Sequence, residues 1–391
     1  MFLTIKKFAK KIGLNEYYYF FLKIWYSSQI FLKELIFDFL ISDKSFDKNF
    51  NNNEYENLVR KLNNSGVKWP LKKNNDNHIA YAGINSNWEI INIPQELSKL
   101  GSVSTFFLEK KIKSKSINEI RNFVDKEFFN WIVKVNKANK INALITYYSG
   151  AEILPRTIIK IKKLGIPIFT FHLDDRLHFF GKLNWFRWTG PYGVCKYYDA
   201  NLSSCFKSLK QYKFFNSTVL YSPEGANPNY FKPNRNIKKI YDVVFIGAKY
   251  GRREKFINNL LKKGINVVCF GYGWKNGSIS NDEYIKVINQ SKIVLGFGYI
   301  SFTNFQTLKG RDFEIPSCEA VYLTTHNQEL ASQFEIGKEI LTFKNLNDCC
   351  NKINTVLSDP KLKSKIEKSS RKKIISNHTW EKRFNYLLFG N

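Results

Sequence analysis

The chain has no uninterrupted apolar run long enough to cross a bilayer, which takes roughly 18 residues or more. It also has no Cys-x-x-Cys pair, no GxGxxG loop and no GKS or GKT ending of a nucleotide-binding P-loop. The nearest apolar stretch, Tyr17 to Leu40, is broken by Lys23, Lys33, Glu34 and Asp38. Six cysteines without metal-ligand or disulfide spacing read as reduced, mostly buried thiols, which fits a cytoplasmic protein. The opening MFLTIKKFAKKIGL has cations but no small-residue cleavage site after an apolar stretch, so no secretory signal is expected. Acidic residues are scarce, 33 against 61 Lys and Arg, for a net charge of +28. Such a surplus points to an anionic partner (nucleotide, lipid headgroup or nucleic acid) or to lysines spread over solvated faces. No nucleic-acid reader motif is present, and no nucleic-acid partner is expected.

What the chain does have is 43% apolar residues and 16% aromatics over 391 residues, enough for two cores. Residues 1–76 read as a basic helical extension. The apolar positions within 1–45 recur at helical spacing and suit either an anionic membrane surface or the neighbouring domain. From residue 77, strands alternate with helices. HIAYAG (78–83), VSTFFL (103–108), INALITYY (141–148), IPIFTFH (166–172), DANLSS (199–204) and STVLYS (217–222) read as strands. Helices are expected over Pro94–Leu100, Ile117–Asn139, Pro155–Leu164 and Cys205–Phe214. An aromatic-rich insertion, 179–198, interrupts the pattern. A linker rich in Pro and Asn, 223–239, leads to a second run: DVVFIG (242–247), INVVCFG (265–271), KIVLGFG (292–298), Val321–Thr325 and ILTF (340–343). Helices then cover Leu346–Ser358, Lys361–Ile375 and 378–389. This alternation argues for α/β, doubly wound parallel sheets. The expected domains are 1–76, 77–222, a linker 223–239, 240–375, and a C-terminal helix, 376–391, returning to the first domain.

Chemistry is expected at strand carboxyl ends, where open α/β sheets bind ligands. In QTLKGRDFEIPSCEAVYLTTHNQEL (306–330), Lys309, Gly310 and Arg311 precede a helix start that suits a polyphosphate. Glu314, one turn on, suits ribose hydroxyls. Gly247, Lys249 and Arg252 form a second phosphate-facing turn, and Gly271 with Tyr272 offers a ring for a nucleobase. The alternative at each is an ordinary βα turn with solvated cations or buried aromatics. In the first half, Asn85, Asn87 and Trp88 are placed for an acceptor, with Glu89 as a carboxylate. His172, Asp174 and Asp175 form the most polar cluster there. It reads as an acid/base group, as a divalent-metal site, or as a structural turn.

The segment RDFEIPSCEAVYLTTHNQEL with FEIGKEILTF resembles the C-terminal half of group 1 glycosyltransferases, nearest the branch of CgeB-type spore maturation proteins. The resemblance covers about 77–391. It implies the GT-B fold, two Rossmann-like domains facing a cleft, and transfer of a sugar from a nucleotide-diphosphate donor to a glycan or glycoconjugate. It further implies Glu314 on the ribose, Lys309 and Arg311 on the diphosphate, retention of configuration, and no metal or cofactor. The pattern departs from those relatives at two positions: Gln306 stands where many have a first glutamate, and Glu319 where a small residue is usual. Two other classes stay open, a nucleotide-binding protein without transfer activity and, less favoured, a nucleic-acid binder. The expected location is cytoplasmic, at the inner face of the membrane if residues 1–45 attach there.

Overall fold

The apolar β-branched runs do form strands. In a computed structural model, which describes residues 15–41, 46, 49–74 and 76–390, they build two parallel sheets. The described residues divide into two units, one made of 36–230 with the C-terminal segment from 376, the other of 231–375 with the start of helix α1 (Asn15–Leu40). The membrane-surface reading of residues 1–45 falls partly on 1–14 and 42–45, outside the described residues.

The first unit contains α2 (Phe50–Asn64), β1 (His78–Gly83), α3 (Asn87–Leu97), β2 (Ser102–Phe107), β3 (Ala143–Thr146) and β4 (Ile168–His172). A short hairpin follows, β5 (Leu183–Asn184) and β6 (Arg187–Trp188), then β7 (Ala200–Ser203) and β8 (Val219–Tyr221). The sheet order is β2-β1-β3-β4-β7-β8, every pairing parallel. Helix α2 is not an appendage. Tyr55, Leu58 and Leu62 pack in one core with Ile79, Tyr81 and Ile93. Asn51 covers the edge of β8, donating to the Tyr221 carbonyl and accepting from its N–H, both at 2.8 Å. The C-terminal helix Trp380–Phe389 joins the same core through Trp380, Phe384 and Leu387.

Several boundaries differ from expectation. Helix α3 starts at Asn87 and not at Pro94, because Ser86 and Glu89 form a capping box. The segment expected as one helix over 117–139 passes through a π-turn, Val124–Phe128. The helix expected over Lys361–Ile375 runs Pro360–Asn377, with Pro360 in its first turn, where its fixed φ and missing N–H cost nothing.

The second unit has β9 (Tyr241–Ile246), α4 (Arg253–Lys262), β10 (Val267–Phe270), α5 (Asn281–Asn289) and β11 (Ser291–Leu295). It continues with α6 (Arg311–Ser317), β12 (Val321–Thr325) and β13 (Leu341–Phe343). The order β10-β9-β11-β12-β13, all parallel, puts the topological switch between β9 and β11. Loops leaving the carboxyl ends of those two strands therefore diverge and leave a crevice.

Candidate functional site

Gly247 with Arg253 and Arg311 lies on that crevice, and Gly271 braces Gly247 from the β10 side. Gly247 ends β9 and Gly271 ends β10, and the two loops touch. The Gly247 N–H donates to the Phe270 carbonyl at 2.8 Å, and a Cβ on Gly271 would lie 2.4 Å from the Gly247 oxygen. Trp274 Nε1 donates to that same oxygen at 2.9 Å. On the other side of Gly247 stand two guanidinium groups. The Nη1 atoms of Arg311 and Arg253 lie 3.4 and 3.6 Å from where a Gly247 Cβ would be.

The electrostatics of the pair decide what it can hold. Arg253 is buried, donates to the Ala248 carbonyl at 2.9 Å, and lies over the Tyr250 ring, 4.0 Å from its centroid. Burial, and then the neighbouring Arg311 charge, pull its pKa down to about 10. Burial acts the same way on Arg311, but Tyr322, Tyr284 and Asp312 outweigh it and raise its pKa. Arg311 Nη1 is buried with no hydrogen-bond partner. A buried guanidinium N–H with nothing to donate to is costly, and an anion beside Gly247 would satisfy it.

The loop carrying Arg311 is fixed from behind. Tyr322 donates to Asp312 Oδ1 at 2.9 Å, and Asp312 Oδ2 accepts the Lys309 N–H at 2.8 Å. Gly296 makes room, since a Cβ there would sit 2.0 Å from the Tyr322 oxygen. Asp312 thus ties the residue before the Gly310 N-cap to the helix, with no side-chain cap on α6 itself. The side chain of Arg311 reaches Gly247 from the start of α6. Glu314 is buried on α6, and Tyr284 of α5 donates to its Oε2 at 3.3 Å.

Asp312 supplies a pH signature. Burial, opposed by the Lys309 N–H and Tyr322, raises its pKa from 3.8 to about 6. Because the folded value lies above the unfolded one, the protonated form favours folding. That contribution is full below about pH 4 and is lost as pH rises through about 6. A two-unit shift is worth roughly 3 kcal/mol. Asp312→Asn keeps the shape and should flatten the fall in melting temperature between pH 4 and 7; an unchanged slope would remove this account.

Other expected residues have different duties. Arg252 points to Asn304 and lies over the Tyr299 ring at 5.1 Å, away from Arg253. Lys249 pairs with Glu254 at 2.7 Å beside Trp274. Tyr272 is exposed, and its carbonyl accepts the Lys249 N–H at 2.8 Å. Gln306 accepts from Thr325 at 2.6 Å and donates to the His326 carbonyl at 2.8 Å, holding the end of β12. The carbonyl of Gly310 accepts the Phe313 and Glu314 N–H groups. Arg253 was not anticipated. Its only signal was adjacency to Arg252, one residue earlier.

In the first unit burial raises the Tyr147 pKa, Asp174 and Glu89 both lie close enough to add to the rise, and Trp88 meets the same ring. Glu89 is fully buried and accepts from Tyr81 Oη at 2.5 Å, the Ser86 N–H at 2.9 Å and the Ile84 N–H at 3.1 Å. Burial raises its pKa. Trp88 stacks on Trp380 and meets Tyr147 edge-on, centroids 6.1 and 5.3 Å apart, so its faces serve the core. Asn85 takes a left-handed φ of 61°, and its carbonyl accepts from Lys113. Asn87 is exposed at the first turn of α3. His172 is buried, and burial pulls its pKa down to about 3, which makes it a poor proton acceptor. Asp174 is exposed, whereas Asp175 is buried and accepts from Ser203 at 2.6 Å and Tyr212 at 3.0 Å. Among the described residues, no three His, Cys, Asp or Glu side chains are grouped to hold a metal. Glu89→Ala should cost about 2–4 kcal/mol of stability, because three donors lose one acceptor. Turnover per folded molecule should survive. A collapse of turnover at unchanged melting temperature would instead give Glu89 a chemical role.

Two parallel sheets of this order, each with its switch point, match solved structures along most of the chain. A glycosyltransferase from Rickettsia africae ESF-5 superposes with a TM-score of 0.55 at 12% identity, covering 81% of this chain and 100% of that one. The fold is GT-B. Sucrose-phosphate synthase from Thermosynechococcus elongatus matches at 0.52 and 10% identity, covering 78% and 96%. The BGT protein of T4 phage, solved in complex with its UDP-glucose substrate, matches at 0.51 and 14%, covering 80% and 99%. Residues 252–388 match the model of a family described as glycosyl transferase-like. That span includes Arg253, Arg311 and Glu314 of the GT-B crevice. No curated protein matches the chain.

Proposed function

We propose that this GT-B protein is a group 1 glycosyltransferase of the CgeB-type branch. It transfers a hexose from a nucleoside-diphosphate sugar, with uridine diphosphate the first candidate, to a hydroxyl of a glycan or glycoconjugate in surface polysaccharide synthesis. The observation that carries the reading is the buried, unpartnered Arg311 Nη1 beside Arg253 at Gly247. The donor's diphosphate sits there, with Lys309 adding charge and Glu314 taking the ribose hydroxyls. As the bond from the anomeric carbon to the β-phosphate oxygen breaks, its electron pair stays on the diphosphate. The acceptor oxygen bonds the anomeric carbon, and its proton passes to the departing phosphate oxygen. Fixed guanidinium charges stabilise the growing negative charge without reorganising, so no metal is needed. Retention of configuration is part of the same reading, and the reaction is placed in the cytoplasm at the inner face of the membrane.

A thermal-shift series with the diphosphates of uridine, guanosine, cytidine and thymidine, and with uridine alone, tests it. At a ligand concentration of about 100 Kd, the native state gains roughly 2.7 kcal/mol. One diphosphate should raise the melting temperature and uridine alone should not. No shift with any diphosphate would end the proposal.

A further inference from the structure

Between Asp175 and Asp199 the chain carries no acidic residue but has Arg176, Lys182, Arg187 and Lys196. This aromatic-rich insertion plays no part in the arginine crevice. It folds into the β5–β6 hairpin, with Leu183 opposite Trp188 and Asn184 opposite Arg187. Its two-residue turn is Trp185-Phe186, at φ values of 47° and 59°. Such turns normally take Asn and Gly, because a Cβ crowds the backbone in the left-handed region. Bulky rings persist there only where their surroundings impose the conformation.

The surroundings fix the two ends of the turn. Arg121, buried, donates through Nε to the Gly150 carbonyl at 2.8 Å and through Nη1 to the Asn184 carbonyl at 3.4 Å. A Cβ on Gly150 would lie 2.2 Å from the Trp188 oxygen, so the base of the hairpin is closely seated. The tip is then presented to solvent: Trp185 is 75% exposed and Phe186 94%.

A second segment of the same unit behaves alike. In the last turn of α1, Phe37 turns inward onto Phe214 and Phe215, centroids 5.4 and 6.0 Å apart, while Phe39 stands 88% exposed. Ile36 and Leu40 beside it are also exposed. Phe215 meets Phe180 at 6.1 Å, and Phe180 meets Trp188 at 5.6 Å. An aromatic chain thus ties the end of α1 to the base of the hairpin, and a pocket of about 600 Å³ lined by Phe214, Phe215, Trp188, Arg187 and Lys196 lies along it.

We infer that this face of the first unit binds the surface of an anionic lipid bilayer, with Trp185, Phe186 and Phe39 entering the boundary between headgroups and acyl chains. The outward side chains are the Trp, Phe, Leu and Ile types that settle at that boundary. Lys182 and Arg187 flank the tip and complement anionic headgroups. No helix of the described residues is long and apolar enough to cross a membrane. A second copy is the weaker occupant, because association would bring two chains of net charge +28 together.

The inference does not depend on the donor chemistry and is read separately from it. Full-length protein should pellet with vesicles of equal parts phosphatidylcholine and phosphatidylglycerol, less so at high salt, and hardly at all with phosphatidylcholine alone. W185S/F186S should weaken pelleting about tenfold or more at an unchanged melting temperature. Phe39→Ser, on a different segment, should weaken it independently should the hairpin variant fold poorly. A wild-type protein that stays in the supernatant overturns the inference, as do variants that pellet equally well. So does a dimer in sedimentation velocity that Phe39→Ser abolishes in the absence of vesicle binding.

Discussion

Arg311→Ala is expected to lower kcat/KM for the sugar donor by about two to three orders of magnitude, the range seen when one fixed donor to a developing anion is removed. Affinity for the nucleoside diphosphate should fall roughly 10- to 100-fold, since a charge-assisted hydrogen bond is worth about 1.5–3 kcal/mol. The larger kinetic loss follows if the guanidinium meets more charge in the transition state than in the bound donor. Arg311→Lys retains the charge but not the planar fork, and should fall between wild type and alanine. Arg252→Ala is the informative neighbour. Its side chain already serves Asn304 and Tyr299, so turnover should change less than about threefold, within the spread of ordinary surface substitutions. A steep loss at Arg252 with none at Arg311 would place the diphosphate elsewhere. Melting temperatures of wild type and variant separate this loss from any destabilisation of the Asp312–Tyr322 contact.

The difference between adjacent arginines also shows where sequence reading stops. Strands such as Val321–Thr325 were legible to the residue, because a run of β-branched and aromatic residues fits a buried parallel strand better than any other element. The helix bearing Glu314 was legible too. Which of Arg252 and Arg253 turns inward depends on the first residue of α4, and one position of helix rotates a side chain by about 100°. That start follows the left-handed Gly251, at φ 61°, and the turn that the Arg253 N–H closes onto the Tyr250 carbonyl, neither of which the pattern of cations reveals. Glu89 shows the reverse case. Ser86 and Glu89 spell a capping box, and that signal was present, yet a carboxylate after a strand invited a chemical reading. The place of α2 in the core was recorded only as Tyr55, Leu58 and Leu62, one face of a helix otherwise rich in Asn, whose partners lie far along the chain. The Trp185-Phe186 turn had no local signal, since its φ values contradict what those residues prefer.

Gly271→Ala should be among the most damaging single substitutions available in the second unit. Its φ of 126° lies in a region that side-chain-bearing residues rarely adopt, which alone costs on the order of 1–3 kcal/mol. The added methyl would also meet the Gly247 carbonyl oxygen at 2.4 Å and its carbon at 2.5 Å. Both are backbone atoms, so no side chain can swing aside. Relief requires the β9 and β10 loops to part, breaking the Gly247 N–H bond to Phe270 and the Trp274 bond to the Gly247 oxygen. Strain and lost bonds together predict a destabilisation of roughly 3–5 kcal/mol, at the exceptional end for one substitution. Gly247 would be carried away from the Nη1 atoms of Arg253 and Arg311, so any molecules that stay folded should bind the diphosphate poorly. Gly264 provides the comparison. It is also left-handed, at φ 80°, but nothing lies within 4 Å of its absent Cβ. Gly264→Ala should carry only the conformational cost, about 1 kcal/mol, and bind normally. Urea melts and diphosphate titrations of the two variants decide the matter: equal stabilities would mean that loop contact at Gly247 does not hold the crevice in shape.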